Sequence, residues 1–411
     1  MQLPPGPVTA CAGCQWPLCC AGCQDSPQHR QECLLLSQAG VVPALDSEHS
    51  NQWIYTAVAL LRVLLLKRDQ PDQWEKVEQL MDHWEERATN TEVVKAMKIM
   101  FAFFSKKLSL DWISLEDVQH VFGVLQTNSV SLISRQGRTF YPVVSLLSHS
   151  CLPNLEPVSN PAATIKLRAK TRIEAGQQLT MRYTSFLSPV WRRRQEIKTE
   201  WMFDCDCVRC IDNSDLNTFL SALSCHCGGF YSNKLDNKHG LTFSCSGCQQ
   251  ARDFTEKFER FQQIEGRLSS CSLSREELRS FLAEIDADEQ IHDQFYLKVK
   301  ANMKYCEMFQ DSSDRETLEE VMSRVKTVLN LIRDIDQGCS KVTGKYVLVL
   351  AEVQEKLLTL RRKEDPAVQP SQLRKEVADL IKSKMIANKM LGQHYTTPKH
   401  KPATTSSKEG T

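Results

Sequence analysis

No stretch of this 411-residue chain reads as a membrane span. The longest apolar run, from Ile54 to Leu66, is interrupted by Arg62 and falls short of the roughly 20 residues a spanning helix needs, so it reads as a buried helix. The amino terminus, MQLPPGPVTA, lacks the basic start and apolar run of a secretory signal, so a reducing compartment, cytoplasmic, nuclear or both, is expected. An excess of one charge is also missing: 51 Lys and Arg face 50 Asp and Glu, a net charge of +1. That argues against a nucleic-acid binder held by bulk charge. Few basic residues lie between Cys11 and Cys33, the basic residues at 399–401 are too few to count as an import signal, and the run Trp191-Arg192-Arg193-Arg194 reads as a solvated helix start.

Cysteine is abundant, with 17 residues. In a reducing compartment clustered cysteine reads as metal ligation rather than disulfides. Cys271, Cys306 and Cys339 stand alone in helical patterns and read as small buried hydrophobes. The first cluster runs Cys11-x2-Cys14-x4-Cys19-x3-Cys23-x5-His29-x3-Cys33. Thiolates with one imidazole suit tetrahedral zinc, and so small a segment needs the metal to fold. The second cluster, Cys205-x-Cys207-x2-Cys210, is one ligand short of a tetrahedron, and Cys151 is the candidate for the fourth. The third pairs Cys225-x-Cys227 with Cys245-x2-Cys248 and reads as a zinc ribbon or a loose cysteine-rich hairpin.

Apolar spacing organises the rest. Residues 50–125 are helical; Pro71 suits a first turn, and Trp74, Val77, Leu80, Met81 and Trp84 fall on one helical face. Ser114 with Asp117, Ser274 with Glu277 and Ser313 with Glu316 have the spacing of capping boxes. The segments 141–147, 164–169 and 178–182 read as strands, with a turn at 174–176. From about 252 onward the chain is helical, with Met322, Val325, Val328, Leu329 and Ile332 as a core stripe, and a tail rich in Thr, Ser, Lys and Pro from about 396 that reads as disordered.

Three motifs carry a family resemblance. Ser148-His149-Ser150-Cys151-Leu152-Pro153-Asn154 resembles the NHSCxPN motif of SET domains. The segment from Ile173 to Tyr183, IEAGQQLTMRY, resembles the SET strand that ends in the channel tyrosine, and Trp201-Met202-Phe203-Asp204-Cys205-Asp206-Cys207 with Cys210 resembles the post-SET segment. With the first cysteine cluster, which is similar to the second half of a MYND finger, they identify the chain as similar to the SET-and-MYND (SMYD) protein-lysine methyltransferases. The Thr127-Asn128 pair and the cysteine ribbon resemble arthropod members.

The resemblance implies an α+β fold: a mostly-β SET core with zinc-binding segments, a helical insert and an α-helical carboxyl-terminal domain. The expected division is a partial MYND finger at 1–33, the helical insert at 34–125, the carboxyl half of the SET core at 126–195, the post-SET zinc site and ribbon at 196–250, a TPR-like helical domain at 251–395 and the tail at 396–411. In the finger, Cys11, Cys14, His29 and Cys33 would complete one zinc. Cys19 and Cys23 would be half of another, with Cys20 a substitute ligand. The amino-terminal SET segment, with its Gly-rich strand, and the first half of the finger are expected to be missing. S-adenosylmethionine is the implied cofactor beside zinc. Ser148, His149, Tyr183 and Phe203 would hold it, Tyr183 would be catalytic, and Asn128, Tyr183 and Trp201 would line the lysine channel. Read without the resemblance, His149 beside Cys151 is a zinc ligand or a core histidine, and Tyr183 simply ends a strand.

The function implied is lysine N-methylation of histone or other protein substrates. The alternative is an inactive scaffold, suggested by Ser148 in place of the motif's Asn and by Trp201 where many members carry a second channel tyrosine. Its finger would dock proline-containing peptides. A monomer that binds neither membrane nor DNA is expected.

Overall fold

The structure is a computed structural model and describes residues 9–18, 20–42, 52–131, 138–159, 165–232, 242–269, 273–364 and 370–392. Packing divides the chain into two compact units. One comprises residues 1–168, 174–184 and 192–206, the other 169–173, 185–191 and 207–411.

The first unit is organised by the helix Gln52–Asp69. Ile54, Ala57, Val58, Leu60, Leu61, Leu64 and Leu65 are all buried there, on one broad face of the helix, because other elements of the unit pack against it. Each of the Ile, Val and Leu side chains contributes roughly 1.5–3 kcal/mol relative to exposure. Helix Leu115–Asn128 packs against it and begins at the Ser114/Asp117 capping box: Asp117 N–H donates to Ser114 Oγ at 3.0 Å, and Ser114 N–H donates to Asp117 Oδ2 at 2.9 Å. Lys67 Nζ reaches the same Asp117 at 2.7 Å, joining the two helices. Gly123 lets the chain at Asp82 approach; a Cβ there would lie 2.3 Å from the Asp82 carbonyl oxygen.

Three expectations change in this unit. The helix that starts at Pro71 stops at Glu78. Trp74 and Val77 are buried, but Met81 is largely exposed and Trp84 opens a separate turn. The segment 141–147 is not a strand. It is a turn leading into the 3-10 helix Val144–Leu146, and the strand that follows is Ser148–His149. Pro142 lacks an N–H for a ladder, which favours the turn. The arginine run is not solvated: Arg193 is fully buried within helix Val190–Trp201. The strand expected at 164–169 is Ile165–Ala169, and it pairs with Leu155–Ser159; Thr164 lies outside the described residues.

The second unit contains a four-stranded antiparallel sheet, in the order Leu223–Ser224, Phe230–Ser232, Thr242–Cys245 and Ala251–Asp253. Helices Arg275–Asp286, Tyr296–Phe309, Arg315–Ile335, Lys341–Glu364 and Pro370–Leu391 then pack each on the next. Val325, Val328 and Ile332 are in the core. The Ser274/Glu277 box is formed. At the next expected box the cap is Asp314 instead, whose carboxylate accepts from Thr317 N–H at 2.9 Å, because a carboxylate is the stronger acceptor at a helix start. Cys306 is buried but Cys339 is exposed, against expectation, because it sits in the turn before helix Lys341–Glu364. Cys271 and the expected disordered tail lie outside the described residues. No helix among the described residues is long and apolar enough to cross a membrane.

Candidate active site and metal centres

A short parallel strand pair carries the first candidate site. Ser148 aligns with Thr180 and His149 with Met181. Ser150 N–H extends the pairing by donating to Met181 O at 3.0 Å. Asn154 locks the far side: its Nδ2 donates to Gln178 O at 2.8 Å, and its Oδ1 accepts from Thr180 N–H at 2.8 Å. Tyr183 leaves the end of this pair. Its hydroxyl donates to Leu147 O at 2.5 Å, and its backbone N–H donates to His149 Nδ1 at 3.1 Å. Burial pushes the Tyr183 hydroxyl above its ordinary value, so it stays protonated and a donor at neutral pH.

Trp201 and Phe203 complete an aromatic cluster. The Tyr183 ring lies 5.0 Å from His149 and 5.0 Å from Trp201, and Phe203 lies 6.1 Å from His149. Met202 between them has φ +59°, a left-handed conformation uncommon for a side chain of its size, and it redirects the chain after Trp201. Arg87 holds the helix end before Trp201 by donating Nη2 to Thr127 Oγ1 at 3.0 Å and to Glu200 O at 3.3 Å. Phe203 is half-buried and tilted 57° to the imidazole, so its face is not stacked on His149.

Three groups of ligand atoms converge, each within 4.8 Å: Cys11, Cys14, His29 and Cys33; Cys151, Cys205, Cys207 and Cys210; Cys225, Cys227, Cys245 and Cys248. In the first, Cys11 and Cys33 Sγ are 3.6 Å apart, and Cys14 Sγ is 3.7 Å from His29 Nε2. In the third, Cys225 and Cys248 are 3.9 Å apart and Cys227 and Cys245 3.5 Å. A tetrahedral zinc with 2.3 Å Zn–S bonds needs sulfurs about 3.8 Å apart, so the spacing fits. The electrostatics agree. Burial and the neighbouring thiols push Cys14 up to about 12, since the three crowded thiols of this group cannot all ionise alone; a divalent cation relieves that repulsion. In the third group, backbone N–H groups of Gly229 and Gly247 donate to Cys227 and Cys245 at 3.4 Å each. Cys20 and Cys23 Sγ lie 3.5 Å apart, while Cys19 lies outside the described residues.

Comparison with known proteins agrees with this geometry. The SET domain family matches residues 42–184. The SET domain-containing protein SmydA-8, isoform A, of Drosophila melanogaster is 27% identical over 275 residues, covering 63% of this chain and 57% of the relative. Histone-lysine N-methyltransferase SMYD3 of Mus musculus is 30% identical over 207 residues, covering 47% and 46%. Histone-lysine N-methyltransferase ASHR1 of Arabidopsis thaliana is 24% identical over 222 residues, covering 49% and 43%. Residues 42–184 thus match a SET domain, and the relatives named here are SMYD-type and other SET-domain proteins to which the chain is similar. It spans about half the length of the curated relatives it matches.

The other sequence-derived residues are placed as follows. Ser148 Oγ accepts from Gln178 Nε2 at 2.7 Å. Asn128 Nδ2 donates to Met81 O at 3.2 Å and Val124 O at 3.0 Å, so its amide hydrogens are used at a helix end. Sequence reasoning missed Leu147, Met202 and Arg87. Leu147 and Met202 act through their backbones, which no side-chain pattern reveals. Arg87 carries an ordinary helix charge, and only the fold supplies its partners.

Proposed function

We propose that this chain acts in S-adenosylmethionine-dependent N-methylation of protein lysines, histone or non-histone, with zinc as its structural metal. The observation that carries the reading is the cluster of His149, Tyr183, Trp201 and Phe203 at the end of the 148–149 and 180–181 strand pair. S-adenosylmethionine, when bound, supplies a methyl group on a sulfonium. Phe203 and the strand at Ser148 and His149 would hold it. Transfer of a methyl group to a neutral amine needs in-line positioning more than acid–base power. The Tyr183 and Trp201 rings, 5.0 Å apart, form an aromatic wall that attracts a lysine head group before it loses its proton. Tyr183, held by Leu147 O and still neutral, presents a fixed dipole beside that path. Asn128 would border the same channel.

The test is transfer of labelled methyl groups to histones and to a cell extract by full-length, zinc-loaded protein. Turnover that falls at least 100-fold in Tyr183→Phe supports the reading. No transfer and no cofactor binding by folded, zinc-loaded protein would sink it.

A second reading is a non-catalytic scaffold whose finger and helical tail dock partner peptides. It is favoured by Trp201, whose indole packs on Tyr183 without offering a hydroxyl. Turnover sensitive to Tyr183→Phe would exclude it.

A further inference from the structure

His149 lies between two hydrogen-bonding groups that belong to different structures. Its Nδ1 is 3.1 Å from the backbone N–H of Tyr183. A backbone N–H only donates, so Nδ1 is the acceptor and the ring proton of the neutral imidazole sits on Nε2. Nε2 is 3.2 Å from Cys151 Sγ. Cys151 is fully buried and belongs to a four-thiol group that is complete without a histidine. The imidazole is therefore neither a fifth metal ligand nor an idle core side chain. Its ring is also held sideways, 5.0 Å from the Tyr183 ring and 6.1 Å from Phe203.

We propose that the His149 ring is a positioning residue that ties the metal-bound Cys151 thiolate to the backbone of Tyr183. Nε2–H donates to the thiolate, and Nδ1 receives the Tyr183 N–H. The sulfur accepts only from a protonated nitrogen, so the metal site sets the tautomer, and the tautomer makes Nδ1 the acceptor that anchors Tyr183. The partner orienting a metal ligand is in this way also the element that orients the tyrosine. The inference rests on Cys151 as a metal ligand and does not depend on methyl transfer.

The experiment uses full-length protein loaded with cadmium-113, in which each metal site gives its own resonance. Cys151→Ser identifies the resonance of its site. His149→Phe keeps the ring volume and removes both hydrogen bonds, whereas His149→Gln places an amide N–H where Nε2–H was. The expected result is a shift of the Cys151-site resonance alone in His149→Phe. Metal release from that site to a chelator should be about 10–100-fold faster, with most of both effects reversed in His149→Gln. Nitrogen-15-labelled histidine in the wild-type protein should show one ring, missing from His149→Gln, protonated at Nε2.

An unmoved resonance and unchanged release in a folded His149→Phe would overturn the proposal. So would a wild-type ring protonated at Nδ1, a measurement that holds even if the phenylalanine variant fails to fold. If Cys151→Ser removes no resonance, the metal assignment itself falls. None of these readouts involves methyl transfer, so failure of the proposed function leaves them unaffected.

Discussion

Arg62 grips the Glu32 carboxylate in bidentate fashion, Nε to Oε2 at 2.5 Å and Nη2 to Oε1 at 2.6 Å. Glu32 is fully buried, and its Oε1 also lies 2.9 Å from His29 Nδ1. The imidazole of the first metal group is thus oriented by a carboxylate that helix Gln52–Asp69 holds in place. Glu32→Ala should weaken zinc binding at this site by about 10–100-fold, measured by competition with a chromogenic chelator, while Glu32→Gln should lose less because its carbonyl still accepts from Nδ1. Equal losses in the two variants would show that the carboxylate acts through bulk charge rather than orientation.

The third metal group should be the labile one. Cys227 and Cys248 are exposed, whereas Cys11, Cys14 and His29 are buried. Chelator challenge of zinc-loaded protein should release metal in at least two phases, and the fast phase should vanish in Cys227→Ser. A fast phase that survives in this variant would assign it to another site.

Gly123→Ala should destabilise the first unit, although alanine is ordinarily better than glycine inside a helix by up to about 1 kcal/mol. The added Cβ would meet the Asp82 carbonyl oxygen at 2.3 Å and its Cβ at 2.6 Å, and neither is the free end of a flexible chain. Overpacking of this kind costs about 1–3 kcal/mol. Urea unfolding followed by tryptophan fluorescence would measure it, and an unchanged or raised midpoint would refute the close approach.

The second unit should lose stability in alkali through Cys306. Burial pushes this thiol from its ordinary 9.0 up to about 12. Below pH 9 it is protonated in both folded and unfolded chains, and the stabilisation is fully present. As the pH rises from 9 towards 12 the unfolded chain gives up the proton and the folded one does not. Stability then falls by up to about 1.4 kcal/mol per pH unit. In Cys306→Ala the slope of unfolding free energy between pH 9 and 11 should be shallower by that amount. An identical slope would mean that the thiol is not held neutral.

Local chemistry alone determined much of this protein. The Ser114/Asp117 and Ser274/Glu277 boxes have partners three residues apart, so their energetics are local and the chain carries them wherever it folds. The apolar run Ile54–Leu66 and the pairs Cys11-x2-Cys14 and Cys245-x2-Cys248 are legible because they are contiguous in the chain, although what completes them comes from elsewhere. The motif at 148–154 marked a SET domain because its residues are contiguous too. The tertiary structure decided what those patterns meet. It turned 141–147 into a 3-10 turn, buried Arg193 where the charges suggested solvent, and set Met202 left-handed so that Trp201 and Phe203 flank Tyr183 and His149. It placed Glu32 between His29 and Arg62, and His149 between Tyr183 and Cys151. Burial and hydrogen-bond satisfaction depend on groups from 30 or more residues away, and a linear sequence does not show which of its donors and acceptors will be brought face to face.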